Sequence, residues 1–192
     1  REIFIPRRRD YDLTVEADVE RVYRDARPTL VMHLAAEVGG IGANQANPGR
    51  YFFANMAMAL HLIEQARIRG LRKFVQVGTI CAYPKFTPVP FREASLWDGY
   101  PEETYAPYGI AKKAQLVHAQ VNAAQYGQRF AYLIPTNLYG PGDKFHPSVS
   151  HVIPALLRKF HEARVMAKPS VTVWGSGEPR REFMYSDDMA SA

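Results

Sequence analysis

Three short apolar runs are the clearest feature in the pattern of hydrophobic and polar positions along the chain. They cover Leu30–Ala36, Lys73–Thr79 and Arg129–Pro135. Apolar runs of this length are typical of strands that a parallel sheet buries on both faces. We therefore predict three central β-strands at these positions, and we expect Leu30–Ala36 to be buried on both of its faces.

Longer segments between these runs carry apolar residues at helical spacing. Asn47–Arg69 and Tyr108–Tyr126 are the two longest, and each is followed by a glycine that is suited to ending a helix. Asp18–Arg27 and Val152–Ala163 show the same spacing over a shorter length. The pattern therefore predicts four helices, two of them long.

Four further segments give weaker signals. We predict short strands at Glu2–Pro6 and Val171–Gly175, where β-favouring residues are bounded by Pro or Gly. Thr136–Gly142 is predicted as a turn. The segment Pro84–Pro107 is rich in Pro and Glu and is too long for an ordinary connection, and such loops are commonly lids or binding loops.

The alternation of strands and helices with short links predicts the fold class. We expect an α/β protein with a Rossmann-like parallel sheet, right-handed crossovers and helices on both faces. Ligands of such sheets bind beyond the carboxyl ends of the strands, where Thr79, Asn137 and the loop Ala35–Gly42 are expected to lie. Because the composition changes after residue 142, we predict one domain over 1–142 and the start of another over 143–192.

Composition is that of an ordinary globular protein. The 192 residues are 47% hydrophobic and 22% charged, which is enough for one sizeable core. A single cysteine, Cys81, excludes an intrachain disulfide and favours a reducing, cytoplasmic compartment. No apolar run approaches the roughly 18 residues that cross a bilayer, and no signal peptide is visible, so we expect a soluble protein without a membrane partner.

The balance of charge favours anionic ligands. The chain carries 24 Lys and Arg against 19 Asp and Glu, a net charge of +5, which suits nucleotide phosphates. No basic stripe is interleaved with aromatic residues, so a nucleic-acid partner is not expected. The basic turn Arg7–Arg9 follows a predicted strand and is a candidate site for the 2′-phosphate of NADP, with a solvated turn as the alternative.

Tyr108 and Lys112 are the most suggestive pair in the sequence. Four residues apart on a predicted helix, they share one face, so the ammonium can lie beside the phenol. A neighbouring cation favours the phenolate, and we expect it to bring the Tyr108 pKa down towards neutral pH. Thr79, at the end of a strand, adds a hydroxyl that can hold a substrate oxygen. The combination indicates carbonyl/alcohol redox chemistry, although a half-buried tyrosine and a surface lysine would show the same spacing.

Six motifs extend this reading along nearly the whole chain. They are His33–Ile41 (HLAAEVGGI), Gly78–Pro84 (GTICAYP), Tyr108–Lys112 (YGIAK), Pro135–Pro141 (PTNLYGP), Ser150–Pro154 (SHVIP), and Val173–Gly177 (VWGSG) with Arg181–Phe183 (REF). In this order they resemble the extended short-chain dehydrogenase/reductases that act on nucleotide sugars. Within that family the resemblance is to the GDP-L-fucose synthases, which are 3,5-epimerase/4-reductases of GDP-4-keto-6-deoxy-mannose.

The resemblance implies ligands and partners. NADPH is the implied cofactor, with NAD possible, a GDP-sugar is the implied substrate, and a homodimer through the two long helices is the implied assembly. Residues 1–142 would form part of a dinucleotide-binding domain and residues 143–192 the start of a substrate-binding domain. The family's first strand and its Gly-x-x-Gly-x-x-Gly turn are absent from these residues, and Thr79 stands where the family usually has Ser.

The resemblance also implies a division of catalytic roles. Cys81 matches the family's base and His151 its acid for inversion at C3 and C5 of the sugar. Tyr108 would protonate the C4 oxygen during reduction, Lys112 would lower the phenol pKa and bind the nicotinamide ribose, and Thr79 would orient the carbonyl. A thiol that acts as a base at neutral pH needs a lowered pKa, so we expect a cation near Cys81.

Further positions are assigned by the same resemblance. The implied cofactor-binding residues are Tyr108, Lys112, Arg7, Ala35, Ala36, Val38, Pro135 and Leu138. The implied substrate-binding residues are Asn137, Val152, Lys159, Trp174 and Arg181. Without the motifs, Trp174 would be read as a core aromatic residue and Arg181 as a solvated charge. No metal site is predicted.

Two alternatives stay open. One is another nucleotide-sugar enzyme of the same superfamily, such as a GDP-mannose 3,5-epimerase or a dehydratase, although dehydratases usually carry acidic groups where this chain has Ile80 and Cys81. The other is a non-catalytic sensor that binds NAD(P) on the same fold. A sensor predicts a broken Tyr/Lys pair or a missing hydroxyl, and this chain keeps Tyr108, Lys112 and Thr79.

Overall fold

The computed structural model describes residues 2–146, 149–178 and 180–192. The helices in these ranges are α1 (Glu16–Ala26), α2 (Ile41–Ala46), α3 (Pro48–Ile68), α4 (Ala106–Tyr126), α5 (Val152–Val165) and α6 (Ser186–Ser191). The strands are β1 (Leu30–His33), β2 (Lys73–Val77), β3 (Phe130–Leu133), β4 (Asn137–Tyr139) and β5 (Phe183–Tyr185). Two 3₁₀ turns, Ile80–Ala82 and Glu93–Trp97, lie between β2 and α4.

The main sheet is parallel. Its strand order is β1-β2-β3, with Leu30 opposite Lys73 and Phe74 opposite Phe130. The carboxyl ends of β1, β2 and β3 therefore meet at one edge, which confirms the predicted Rossmann-like α/β class. A second, two-stranded parallel sheet pairs Asn137 of β4 with Phe183 of β5.

The core lies between the main sheet and the helices that pack on one another. Val19 of α1, Ile63 of α3 and Phe74 of β2 are fully buried in one cluster. The Phe74 ring stacks on Phe130 with centroids 5.2 Å apart. Both α1 and α4 pack against α3, so this core fixes the position of α4 relative to the end of β2.

The expectation that β1 is buried on both faces is wrong. The side chains of Leu30 and Met32 are 46% and 58% exposed, whereas His33, on the opposite face, is buried. β1 is an edge strand of this sheet, and the face that carries Leu30 and Met32 is open to solvent. The strand also ends at His33 rather than Ala36.

Four short segments differ from the sequence prediction. Glu2–Pro6 and Val171–Gly175 are not strands, because an isolated extended segment without a neighbour leaves its backbone groups unpaired. Conversely, α2 was not predicted, and the predicted turn Thr136–Gly142 contains β4. The three-residue strand β4 forms because it pairs with β5, about 45 residues later in the chain. No local pattern in the sequence reveals such a pairing.

None of the helices in the described ranges is both long enough and apolar enough to span a membrane.

Candidate active site

Thr79 organises the turn that follows β2. Its backbone is extended, and its Oγ1 accepts a hydrogen bond of 3.2 Å from the Cys81 N–H, so it caps the 3₁₀ turn Ile80–Ala82. This capping bond satisfies one of the donors that a helix start leaves unpaired. Thr79 and Cys81 are thereby held together at the carboxyl edge of the sheet, as predicted.

The helix α4 brings Tyr108 to the same place. A Cβ on Gly109 would lie 2.5 Å from the Cys81 carbonyl oxygen, so the helix backbone lies directly against the turn. Tyr108 and Gly109 are both buried. The phenol of Tyr108, the thiol of Cys81 and the hydroxyl of Thr79 therefore share one small region.

The expected effect of Lys112 on Tyr108 is wrong. Burial raises the Tyr108 pKa, ionisation of Cys81 would raise it further, and a hydrogen bond with Thr79 lowers it only partly. The Lys112 Nζ lies 5.8 Å from the centre of the Tyr108 ring and donates to the Val77 carbonyl at 2.9 Å. Burial is the largest of these effects, the Lys112 ammonium is not one of them, and Tyr108 is a protonated phenol over the neutral range.

The pKa of Lys112 is itself shifted. Burial lowers its pKa to about 8. Burial also lowers the pKa of His33, to about 3, and the charge on Lys112 adds to that effect. His33 is therefore a neutral imidazole beside the ammonium. An ammonium has three N–H donors; one is used on Val77, and the other two make no hydrogen bond to the residues that the structure describes.

The pKa of Cys81 also differs from the expectation. Burial raises its pKa; hydrogen bonds with Thr79 and with its own backbone lower it, and the charge on Glu102 raises it. We expected a cation to lower this pKa, but the charged group that acts on the thiol here is a carboxylate. In the chain as it stands, Cys81 is a neutral thiol.

Two residues that were not predicted, Tyr105 and Glu102, interact electrostatically with this thiol. Burial raises the Tyr105 pKa, Cys81 and Glu102 add to the rise, and Arg181 opposes it. The Glu102 carboxylate accepts bonds of 3.0 Å from both the N–H and the hydroxyl of Thr104. Tyr105 precedes Tyr108 by three residues at the start of α4, a spacing that could have indicated a shared helix face.

The loop after β1 is held rigidly at the same sheet edge. Asn55 of α3 accepts from the Glu37 N–H at 3.2 Å and donates to its carbonyl at 2.8 Å. The Glu37 carboxylate binds Arg50 at 2.6 Å and Arg8 at 3.2 Å. Ala35 is exposed in this loop, and Ala36 and Val38 are half-buried.

The basic turn lies near this loop. Arg8 is engaged with Glu37, whereas Arg7 is exposed and its carbonyl accepts from the Asp10 N–H at 2.9 Å. The Arg7 side chain thus projects from a closed turn next to a segment that is anchored to the end of β1.

His151 is the residue directly before α5 and is exposed. The carbonyl of its neighbour Ser150 lies 3.6 Å from the position of a Cβ on Gly40. The start of α5 therefore lies against the loop after β1. The structure brings His151 to this sheet edge through that loop, and shows no contact between its ring and Cys81 within the described residues.

The implied substrate residues form a separate group around β4, β5 and α5. The Asn137 amide donates to the Glu182 carbonyl at 3.0 Å. The Lys159 Nζ lies 4.3 Å from the centre of the Trp174 ring, which is otherwise 83% exposed. Val152 and Arg181 are exposed; of the implied cofactor-binding residues nearby, Leu138 is exposed and Pro135 is half-buried. The charge on Arg181 lowers the pKa of Tyr105, at the start of α4.

Within the described ranges, no three His, Cys, Asp or Glu side chains are grouped so that they could hold a metal ion.

Replacing Gly78 with Ala should destabilise the fold by about 1–3 kcal/mol, the usual cost of overpacking. A Cβ there would lie 2.4 Å from the Tyr132 ring, whose hydroxyl donates to the Lys112 carbonyl at 2.8 Å. Urea unfolding measures the change. The control is Gly49→Ala in α3, where a Cβ meets nothing within 4 Å. Equal stability of the two variants would contradict the packing described here.

The comparison with known proteins agrees with this arrangement. Residues 3–192 match the model of the NAD dependent epimerase/dehydratase family. The chain belongs to this family. Its match runs over both the main sheet and the group of residues around β4, β5 and α5.

Individual members of the epimerase/dehydratase family resemble the chain closely. It is 43% identical over 183 residues to GDP-L-fucose synthase 1 of Arabidopsis thaliana, covering 95% of this chain and 57% of that protein. It is 42% identical over 191 residues to GDP-L-fucose synthase of Escherichia coli (strain K12), covering 100% and 60%. The solved structure of a GDP-L-fucose synthetase from Naegleria fowleri bound to NADP superposes with a TM-score of 0.85 at 31% identity, covering 96% and 60%. The chain thus spans about three fifths of the length of these relatives.

Proposed function

We propose that the full-length protein that contains this chain is a nucleotide-sugar 3,5-epimerase/4-reductase, converting GDP-4-keto-6-deoxy-D-mannose to GDP-L-fucose with NADPH. The observation that carries the proposal is the convergence of Thr79, Cys81, Tyr108 and Lys112 at the carboxyl end of β2. The names of the relatives, GDP-L-fucose synthases, support this substrate.

The epimerisation follows from the acidity of the substrate. A ketone at C4 acidifies the hydrogens on C3 and C5 through a shared enolate, so one base and one acid on opposite faces can invert both centres. Cys81 is the proposed base and His151 the proposed acid. Because the free thiol is neutral, the proposal requires an imidazolium or ammonium to approach Cys81 when the sugar binds.

The reduction uses the same site. Tyr108 donates a proton to the C4 oxygen, and its raised pKa keeps that proton on the phenol over the neutral range. Thr79 holds the carbonyl oxygen beside the phenol. NADPH, when bound, supplies the hydride for C4.

The residues present fit the nicotinamide end of this cofactor. Lys112 has two ammonium donors left for ribose hydroxyls, and Ala35 and Ala36 are small residues at the end of β1 that leave room for a ligand. We propose Val38, Pro135 and Leu138 as further contacts, and Arg7 as the ligand of the 2′-phosphate. NADP is favoured over NAD by the NADP complex of the Naegleria relative.

The guanine nucleotide is proposed to bind among the residues of β4, β5 and α5. Lys159 lies over one face of the exposed Trp174 ring, which leaves the opposite face for a ligand. An aromatic face of this kind suits a nucleotide base. Arg181 is suited to a bidentate grip on a phosphate, and Asn137 and Val152 complete the proposed pocket. In this proposal residues 1–142 belong to the cofactor domain and 143–192 begin the substrate domain, with the β4–β5 pairing connecting them.

We further propose a cytoplasmic homodimer that forms through α3 and α4. Both helices carry exposed apolar side chains: Phe53 and Leu60 on α3, and Val117 and Val121 on α4. The spacings of seven and four residues place each pair on one face of its helix. A two-fold axis would bury the same surface on each subunit.

Replacing Phe53 with Glu should shift the full-length protein from dimer to monomer. A carboxylate in the centre of an apolar interface is not compensated by a partner. Sedimentation velocity measures the change, with Leu157→Glu on α5 as the control, because Leu157 is equally an exposed apolar helix residue. If the wild type sediments as a monomer, or the Phe53 variant as a dimer, this interface is wrong.

An assay of the full-length protein with GDP-4-keto-6-deoxy-mannose and NADPH tests the proposed function. It follows the absorbance of the reduced nicotinamide together with solvent deuterium uptake at C3 and C5. We expect both signals. Deuterium uptake without oxidation of NADPH would identify an epimerase, and the absence of both would favour a sensor.

A further inference from the structure

Lys113 is an unusual residue on the catalytic helix. It directly follows Lys112, yet its exposed fraction is only 6%, whereas lysines are almost never this buried without a partner. Burial lowers its pKa, and none of the ion pairs among the described residues includes it. Its ammonium must therefore be stabilised by other groups.

Those groups both belong to the long segment between β2 and α4. The Lys113 Nζ donates to the Gly99 carbonyl at 3.3 Å and lies 5.5 Å from the centre of the Trp97 ring. A carbonyl acceptor and an aromatic face are the two uncharged partners that suit an ammonium. Lys113 thus attaches the segment 97–105, which we call the bracing segment, to α4.

The bracing segment is in turn packed against the residues after Cys81. A Cβ on Gly99 would lie 3.4 Å from the Cβ of Pro84. Pro84 and Pro101 form an antiparallel bridge, and the Lys85 N–H donates to the Tyr100 carbonyl at 3.1 Å. Pro84 is three residues from Cys81, so displacement of Gly99 is transmitted to the turn that holds the thiol.

The other end of the bracing segment enters the site itself. The charge on Glu102 raises the Cys81 pKa, and Cys81 in turn raises the pKa of Tyr105, the residue directly before α4. The bracing segment therefore packs against Pro84 through Gly99 and Pro101, and its Glu102 acts on the thiol through its charge. This contact connects α4, the turn after β2 and the bracing segment in one rigid unit.

We propose that Lys113 is a positioning residue: by holding Gly99 and Trp97 it fixes the bracing segment beside Cys81, and so sets how tightly the site binds the sugar of its substrate. Lys113 does not touch the reacting atoms. Its role in affinity rests on the proposed function, whereas its role in holding the segment does not.

Replacement by Met tests the proposal, since Met keeps most of the length and loses the ammonium. We expect Lys113→Met to raise the KM for the GDP-sugar roughly tenfold, the effect of one lost charge-assisted hydrogen bond, with kcat changed less than about twofold. Lys113→Arg, which can donate to Gly99 and stack on Trp97, should restore most of the affinity. Lys73→Met, at the opposite end of β2 and exposed, is the matched control.

A second readout does not depend on activity. The fluorescence of Trp97 is taken as the difference between each protein and the same protein with Trp97→Phe, which removes the contribution of Trp174 and of tryptophans outside these 192 residues. Lys113→Met should increase the quenching of Trp97 by acrylamide and speed chymotrypsin cleavage within the bracing segment severalfold, and Lys113→Arg should reverse both changes. Unchanged quenching and cleavage in Lys113→Met would overturn the proposal.

The two readouts separate the possible failures. If the wild-type protein has no reductase activity but Trp97 responds as described, the proposed function is wrong, and the role of Lys113 in holding the bracing segment is supported. If activity is present and Lys113→Met lowers kcat as much as kcat/KM, Lys113 acts on chemistry rather than on affinity, which contradicts the positioning role.

Discussion

Replacing Tyr108 with Phe should lower the rate of NADPH oxidation by about 10² to 10⁴-fold, the range for loss of a general acid, while deuterium exchange at C3 and C5 stays measurable. The substitution removes only the hydroxyl, because the ring is buried against the turn after β2 and continues to fill that space. Reduction needs a proton on the C4 oxygen, whereas exchange depends on groups that act at carbon. Stopped-flow absorbance and NMR of the sugar measure the two signals.

Tyr126→Phe is the matched control for this experiment. Tyr126 lies at the last position of the same helix and is exposed, with Arg67 over its ring, so its hydroxyl is far from the site. Wild-type rates are expected. If Tyr108→Phe keeps its reduction rate within a few fold, the phenol is not the proton donor.

Replacing Cys81 with Ser should reduce deuterium exchange at C3 and C5 by about 10² to 10⁴-fold. Serine preserves the capping bond from residue 81 to Thr79, since that bond uses the backbone N–H, but an alcohol is a far weaker acid than a thiol and does not form the anion that a base requires. The position of the turn should thus be kept while the base is lost. NMR of substrate incubated in deuterium oxide gives the rate.

Cys81→Ala tests whether the loss of deuterium exchange depends on the ionisable thiol or on the size of the side chain at this position. Both variants should lose exchange equally, because both lack an ionisable group. Exchange at the wild-type rate in Cys81→Ser would show that another residue is the base, and Glu102, whose charge already acts on Cys81, would be the first to examine.

The sequence predicted those parts of the fold that depend on local pattern. The helices α3 and α4 and the strand β2 have strong periodicity or apolar runs, and their bounds were found within a few residues. The motifs predicted the family, which the match over residues 3–192 confirms. Thr79, Asn137 and the loop 35–42 were expected at one edge because parallel strands end there, whereas the place of Cys81 in the site was implied by the family resemblance.

The electrostatics of the site were not predictable in the same way. The spacing of Tyr108 and Lys112 suggested a lowered phenol pKa, but the sign of the shift depends on burial, and burial depends on packing by α4 against the turn after β2. The same limit applies to Cys81 and Glu102, which are brought together by the fold of a long loop. Lys113 carries no sequence signal of its own beyond its place next to Lys112.

The most direct measurement is a crystal structure of the full-length protein with NADP and its GDP-sugar. The account predicts the C4 oxygen within about 2.6–3.2 Å of the Tyr108 hydroxyl, with the Cys81 sulfur and the His151 imidazole on opposite faces of the same ring. A sugar bound away from Tyr108, or a His151 ring that does not reach the sugar, would contradict it.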